Sequence, residues 1–193
     1  MPVSDPSPNR VDTWSVGHIV RTMAPLLLVL SVLELGSGLV LESLQSTYLG
    51  NPTLLVLVPV MIGMGGNLGA IMAARLSTQL HLGTISFDPR EPQLRAGILA
   101  IMGLAATVFT VLAIVAYGLG HLLGSPMALS DLLTISLVSG LSLAAIAVSL
   151  GIAATYVSYR RGYDPDDVTV PVVTNVCDIL GVLILSVVAI VVL

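Results

Sequence analysis

The sequence predicts an all-α integral membrane protein with five transmembrane helices, and two observations support this fold class. First, hydrophobic residues make up 55% of the 193 residues and charged residues only 9%, whereas soluble domains typically carry about 25% charged residues. Second, five apolar stretches reach the roughly 20 residues needed to cross about 30 Å of hydrocarbon. These stretches are 19–41, 54–79, 95–120, 131–158 and 169–193. We therefore expect residues 1–17 to form a polar tail and residues 18–193 to form one membrane domain.

The first apolar stretch follows a tail that contains three prolines, and it ends at Glu42. It is long and has no clear small-x-small cleavage site before polar sequence, so we interpret it as a retained helix and not as a signal peptide. Glu34 falls inside this helix, where burying a carboxylate in hydrocarbon is costly. Glu34 is therefore either a functional residue or a hydrogen-bonded packing residue.

The second stretch combines a proline with closely spaced glycines. Pro59 is followed within ten residues by Gly63, Gly65, Gly66 and Gly69. Such residues weaken a soluble helix, but in a membrane they permit close approach between helices or unwound backbone that lines a polar cavity. Asn67 lies among the glycines and favours the cavity. The spacing does not indicate a dinucleotide-binding loop, because no strand precedes it.

Acidic residues near the fourth and fifth stretches have ordinary structural interpretations. Asp131 is predicted to be the N-cap of the fourth helix. An acidic turn precedes the fifth stretch and is interpreted as a solvated cap, with a cytoplasmic ion site as the alternative. This turn contains Asp164, Asp166 and Asp167.

The basic residues predict the orientation of the spans. All seven are arginines, and they lie in the tail, at the start of the first span, or around the second and fourth connections: Arg10, Arg21, Arg75, Arg90, Arg95, Arg160 and Arg161. The first and third connections contain none. The positive-inside rule therefore places the amino terminus in the cytoplasm and the carboxyl terminus outside.

The fifth stretch contains one charged side chain, Asp178. Placing an aspartate near the bilayer centre costs roughly 2.5–3.5 kcal/mol on insertion scales, so such a residue normally faces water, an ion or a partner. Thr174 and Asn175 lie one helical turn earlier, on the same side of the helix. Cys177 points about 100° away from Asp178 and is interpreted as a packing residue. The default hypothesis is a transport site centred on Asp178.

Two segments carry a family resemblance. The segment 57–78 resembles the second-helix signature of the MgtE magnesium channels, and it is similar to the corresponding segment of the related eukaryotic solute carriers. The segment 163–184 resembles the last loop and helix of the family, in which a proline precedes the pore aspartate by seven residues and a glycine follows it by three. Pro171, Asp178 and Gly181 match that pattern. The resemblance covers residues 40–193.

The resemblance implies a homodimer with an ion pore at the dimer interface, lined by the second and fifth membrane helices, and Mg²⁺ as the transported ion. Asp178 of each copy is then expected to face the ion. Two departures from the family are evident. The tail of about 17 residues leaves no room for the family's cytoplasmic magnesium-sensing region, so we expect no gating by that route. Val170 stands where bacterial members commonly have an asparagine before the proline.

Magnesium chemistry fits the candidate residues. Mg²⁺ prefers octahedral oxygen ligands and keeps several waters, so its sites often use one or two carboxylates. Two copies of Asp178 satisfy this requirement. Outer-shell waters are expected to bind Thr174, Asn175 or the backbone carbonyls around Gly65, Gly66 and Asn67, and Glu34 is a further candidate. Paired carboxylates without a cation repel each other, which predicts competition between protons and metal.

The leading hypothesis is a Mg²⁺ channel or transporter in the cell membrane. One alternative is a divalent-cation carrier coupled to protons or sodium, and another is a membrane subunit that needs a second half-domain. Manganese, cobalt and calcium also accept oxygen ligands, so the residues do not fix the ion. We expect no enzyme, because no catalytic constellation or nucleotide-binding loop is found, and the net charge of −4 gives no argument for nucleic acid.

Overall fold

The computed structural model describes residues 16–85, 90–161 and 165–193, and these residues form helices joined by short connections. The helices are α1 (Val16–Ser43), α2 (Gln45–Gly50), α3 (Pro52–His81), α4 (Pro92–Leu122), α5 (Leu129–Arg161) and α6 (Pro165–Val192). Among the described residues, every helix except the short α2 is long and apolar enough to cross a membrane. The predicted all-α class and the predicted number of five spans are therefore confirmed.

Two details of the helix boundaries differ from the sequence prediction. The segment 42–53 is not a simple connection, because α2 forms within it. Asp131 was predicted to be an N-cap, and this is wrong: α5 begins two residues earlier, at Leu129, so Asp131 lies inside the first turn. A carboxylate in that turn still interacts favourably with the positive end of the helix dipole.

Glycines end α3 and α4 in the same way. Gly83 and Gly124 have φ angles of +65° and +72°, a left-handed conformation that glycine adopts without a steric penalty. After α3, the amide of Thr84 donates to the carbonyl of Gln79 at 3.0 Å, which is the long hydrogen bond of a Schellman motif. After α4, the amide of Ser125 donates the equivalent hydrogen bond to the carbonyl of Gly120. These motifs end each helix sharply.

The core lies where α3, α5 and α6 meet. Helix α3 packs against both α5 and α6, α4 packs against α5 and α3, and α1 packs mainly against α6. Ser136 of α5 donates a 2.7 Å hydrogen bond to the carbonyl of Phe109 on α4, whose ring covers Gly140. By contrast, α1 exposes large apolar side chains along most of its length, as expected for a helix at the edge of a membrane bundle.

Helix α3 is continuous through its glycine cluster and contains Pro59 in its interior. The described structure therefore agrees with close helix packing and not with unwound backbone. A methyl group at Gly65 would lie 2.6 Å from Cδ2 of Leu143 on α5, and one at Gly69 would overlap Val173 on α6. The absence of side chains at these glycines brings the α3 backbone against both neighbouring helices.

A buried hydrogen bond ties α2 to α6. The hydroxyl oxygens of Tyr48 and Ser186 are 2.8 Å apart, and Ser186 Oγ lies 2.7 Å from the carbonyl oxygen of Val182, to which it donates. Because the serine has only one proton, Tyr48 must be the donor to Ser186. Burial raises the pKa of Tyr48 above its usual value, so the phenol keeps its proton.

Replacing Tyr48 with phenylalanine tests the contribution of this hydrogen bond between α2 and α6. Tyr48→Phe removes one buried hydrogen bond, and we expect it to destabilise the protein by about 1 kcal/mol, a fall of roughly 2–4 °C in the thermal midpoint. The measurement is thermal unfolding in detergent. Tyr117→Phe is the matched control, because the Tyr117 hydroxyl has no hydrogen bond to another described residue. Equal midpoints for the two variants would show that the bond contributes nothing.

Candidate functional site

Asp178 lies in the apolar part of α6 and is partly buried against α3. A methyl group at Gly66 would lie 3.2 Å from Oδ1 of Asp178 and 3.1 Å from both Cα and Cβ of Thr174. The backbone of α3 thus forms a wall beside the carboxylate. Any larger residue at position 66 would press on that carboxylate or separate the two helices.

The polar side chains one turn before Asp178 donate hydrogen bonds to the helix backbone. The Thr174 hydroxyl donates to the carbonyls of Val170 and Pro171, at 2.9 and 3.1 Å. The Asn175 amide nitrogen donates to the Pro171 carbonyl at 2.9 Å, which leaves the side-chain oxygen of Asn175 as an acceptor. The hydroxyl oxygen of Thr174 and the amide oxygen of Asn175 therefore keep lone pairs that can accept hydrogen bonds from the hydration water of a cation.

Glu34 of α1 provides a second carboxylate in this region. It is partly buried, and it lies close enough to Asp178 for the two carboxylates to interact electrostatically. The carboxylate of Glu34 accepts no hydrogen bond from another described residue, and Ser37 donates only to its backbone carbonyl. The packing interpretation of Glu34 needs a hydrogen-bond partner, and no described residue provides one.

The remaining predicted residues lie at different distances from this centre. Asn67 is exposed on the outward side of α3, next to Gly66, in a shallow groove that also includes Val170. Gly65 faces α5 at Leu143, so it lies away from Asp178. Cys177 is fully buried, as expected for a packing residue. The structure therefore brings Gly66 against Thr174 and Asp178, and it places Glu34 within electrostatic range of Asp178.

One chain alone offers few metal ligands here. Among the side chains that the structure describes, no group of three or more His, Cys, Asp or Glu is placed to hold a metal ion. The alternative cytoplasmic ion site at Asp164, Asp166 and Asp167 lies outside the residues whose side chains the structure describes. A divalent cation at Asp178 would therefore need hydration water, a second chain, or both to complete its coordination.

A comparison with protein families identifies the chain. The family model for MgtE, described as a divalent cation transporter, matches residues 58–188, from the first turns of α3 to the last turns of α6. The chain belongs to the MgtE family. Together with the five membrane-competent helices, this membership makes it a multi-pass integral membrane protein of a transporter family, which is not a family of enzymes.

Curated relatives are similar over most of the chain. Rat solute carrier family 41 member 3 is 29% identical over 189 residues, which cover 93% of this chain and 40% of the relative. The mouse member 3 is 31% identical over 137 residues, covering 69% of this chain and 28% of the relative. Chicken solute carrier family 41 member 2 is 27% identical over 164 residues, which cover 78% of this chain and 27% of the relative. This MgtE chain thus spans less than half the length of these relatives, and its resemblance to the family is confirmed.

The contact at Gly66 gives a test of the site's geometry in this MgtE chain. In Gly66→Ala the added methyl group would lie within 3.2 Å of both Thr174 and Asp178, and we expect overpacking to destabilise the protein by about 1–3 kcal/mol. Gly63→Ala is the matched control on the same helix, because an added methyl group there meets nothing within 4 Å. Chemical denaturation in detergent gives both free energies of unfolding. If the two variants were equally stable, α3 and α6 would not be in close contact at Asp178.

Proposed function

We propose that two copies of this chain form a pathway that carries partly hydrated Mg²⁺ across the membrane, with Asp178 of each copy facing the ion. Helices α3 and α6 of both copies line the pathway. The observation that carries the proposal is the position of the Asp178 carboxylate, which lies against the glycine wall of α3 within a membrane-spanning helix. A charge in that position is costly unless a cation or water compensates it.

The donor atoms around Asp178 support a hard cation. Asp178 and Glu34 provide carboxylates, and the side-chain oxygens of Thr174 and Asn175 remain available as acceptors. Oxygen-only surroundings of this kind suit Mg²⁺, which binds one or two carboxylates directly and holds other groups through its waters. In this proposal Asp178 contacts the hydrated ion, while Thr174, Asn175 and Asn67 bind its outer waters.

A second copy of the chain would complete the pathway. One chain brings two carboxylates to the site, and the outward side of α3 beside it is exposed at Asn67 and Ile71. A homodimer would place a second Asp178 opposite the first. The arginines predict that the amino terminus is cytoplasmic, so the ion would move from the α2 end of the bundle toward the arginine-rich end, down its electrochemical gradient.

Two other functions have specific observations in their favour. The proximity of Glu34 to Asp178 would suit a coupled carrier, in which protons and metal alternate on the two carboxylates. The presence of only two carboxylates at the site in one chain would suit a subunit that needs a different half-domain to complete the pathway.

Flux through proteoliposomes tests the proposed function. We expect the purified chain to carry Mg²⁺ without a proton or sodium gradient, and Asp178→Asn to lower the initial rate by at least about tenfold because the carboxylate that binds the ion is lost. A fluorescent Mg²⁺ indicator inside the vesicles gives the rate. Asp131→Asn, the same substitution in the first turn of α5, is the control and should leave the rate unchanged.

The other outcomes identify the alternatives. Flux that requires a proton or sodium gradient would indicate the carrier, and no flux without another protein would indicate the subunit. Full transport activity of Asp178→Asn would contradict both the channel and the carrier proposals, because in each of them this carboxylate binds the ion. A preference for manganese or cobalt over Mg²⁺ would show that the proposed ion is wrong, while the proposed binding site at Asp178 would stand.

A further inference from the structure

A cavity between α3 and α4 lies well away from Asp178, at the arginine-rich end of the bundle. Its volume is about 350 Å³, which is at the lower end of the range for small-molecule sites. Arg75, Gln79 and Gln93 provide its polar groups, and Met72 and Gly97 lie among its apolar lining. The cavity therefore combines one positive charge and two carboxamides with an apolar surface.

The polar and apolar parts of the cavity lie at different depths. Helices α3 and α4 have 30 and 31 residues, so each is roughly 45 Å long and extends beyond about 30 Å of hydrocarbon. Gln79 lies in the last turn of α3, and Gln93 lies in the first turn of α4. Met72 and Gly97 lie about one turn or more deeper in the membrane. The carboxamides are therefore at the level of lipid headgroups, and the apolar lining is at the level of acyl chains.

The charge of the cavity is uncompensated within the described residues. Arg75 is exposed, and its guanidinium has no hydrogen bond or ion pair with another described side chain. The arginine distribution predicts that this end of the bundle faces the cytoplasm. The cytoplasmic leaflet carries the anionic phospholipids, and basic pockets between membrane helices on that side bind their headgroups.

We propose that this cavity binds one anionic phospholipid. The phosphate accepts hydrogen bonds from Arg75, Gln79 and Gln93, and the upper part of one acyl chain packs against Met72 and Gly97. A lipid is favoured over a free anion because much of the cavity lining is apolar and the cavity opens on a membrane-spanning surface. The bound lipid would join α4 to α3, the helix whose Gly66 packs against Asp178. The proposal depends on the membrane assignment and not on which ion is transported.

Native mass spectrometry of the full chain in detergent tests the proposal, with phosphatidylglycerol and phosphatidylcholine of the same acyl chains as probes. We expect one phosphatidylglycerol to bind per chain, and Arg75→Gln to weaken that binding by about fivefold, the contribution of one arginine near an anionic surface. Arg95→Gln is the matched control, because Arg95 is an exposed arginine at the same end of the bundle that does not line the cavity. We expect it to leave the affinity unchanged.

A second pair of variants tests the apolar part of the cavity. A methyl group at Gly97 would lie 3.7 Å from Met72, an ordinary contact, so Gly97→Leu should fold and fill the cavity, and phosphatidylglycerol binding should be lost. Gly103→Leu adds the same side chain to α4 where nothing lies within 4 Å of the added carbon, and it should bind lipid normally.

Several outcomes would overturn the proposal. Equal binding of the two lipids, or equal effects of Arg75→Gln and Arg95→Gln, would show that the cavity does not recognise an anionic headgroup. Displacement of the lipid by an equal concentration of inorganic phosphate would indicate a site for a free anion. If Gly97→Leu changed the ratio of monomer to dimer and left lipid binding intact, a second copy of the chain would be the occupant.

Discussion

The structure depends on one constraint, which is that a carboxylate must be kept stable inside a membrane-spanning helix. Asp178 lies on α6 among apolar residues, where hydrocarbon alone would not solvate it. Three elements of the fold surround this carboxylate, and none of their described residues supplies a positive charge to it. Helix α3 supplies a wall without side chains at Gly66, α1 supplies a second acid at Glu34, and the turn before Asp178 supplies oxygen acceptors. Each element also makes the surroundings of Asp178 more attractive to a cation.

The close packing of α3 against α6 makes these surroundings possible. Helix association in a membrane gains little from the hydrophobic effect, so van der Waals contact between small residues must hold the bundle together. Gly66 and Gly69 on α3 and Gly181 on α6 bring the two backbones within reach of each other. The same glycines that stabilise the fold therefore fix the position of the carboxylate. Packing and function share residues here, and a substitution at Gly66 affects both.

Most of the fold could be predicted from the sequence because membrane spans depend on local hydrophobicity. The five spans, the lone acid at Asp178 and the glycine cluster are all visible in short segments. Helix α2 could not be predicted, because its six residues are held by the tertiary hydrogen bond of Tyr48 and carry no strong pattern of their own. The start of α5 at Leu129, two residues before Asp131, could not be predicted either, because helix ends depend on weak local preferences.

The arrangement of the site could be predicted only in part. Glycine spacing indicates close approach, but a rotation of about 100° separates Gly65, which faces Leu143, from Gly66, which faces Asp178. Which of the two lies beside the carboxylate depends on how three helices pack, and no local pattern determines this. The proximity of Glu34 to Asp178 likewise depends on where α1 docks. Its one sequence signal is that both are isolated acids in apolar spans.

The central claim is that two Asp178 carboxylates face one hydrated cation. Anomalous diffraction from crystals soaked with Mn²⁺, which also accepts oxygen ligands, tests it most directly. The account predicts one anomalous peak on the two-fold axis between the paired Asp178 side chains, and no such peak in Asp178→Asn crystals. A peak that persists in that variant, or a dimer whose Asp178 side chains face away from each other, would contradict it.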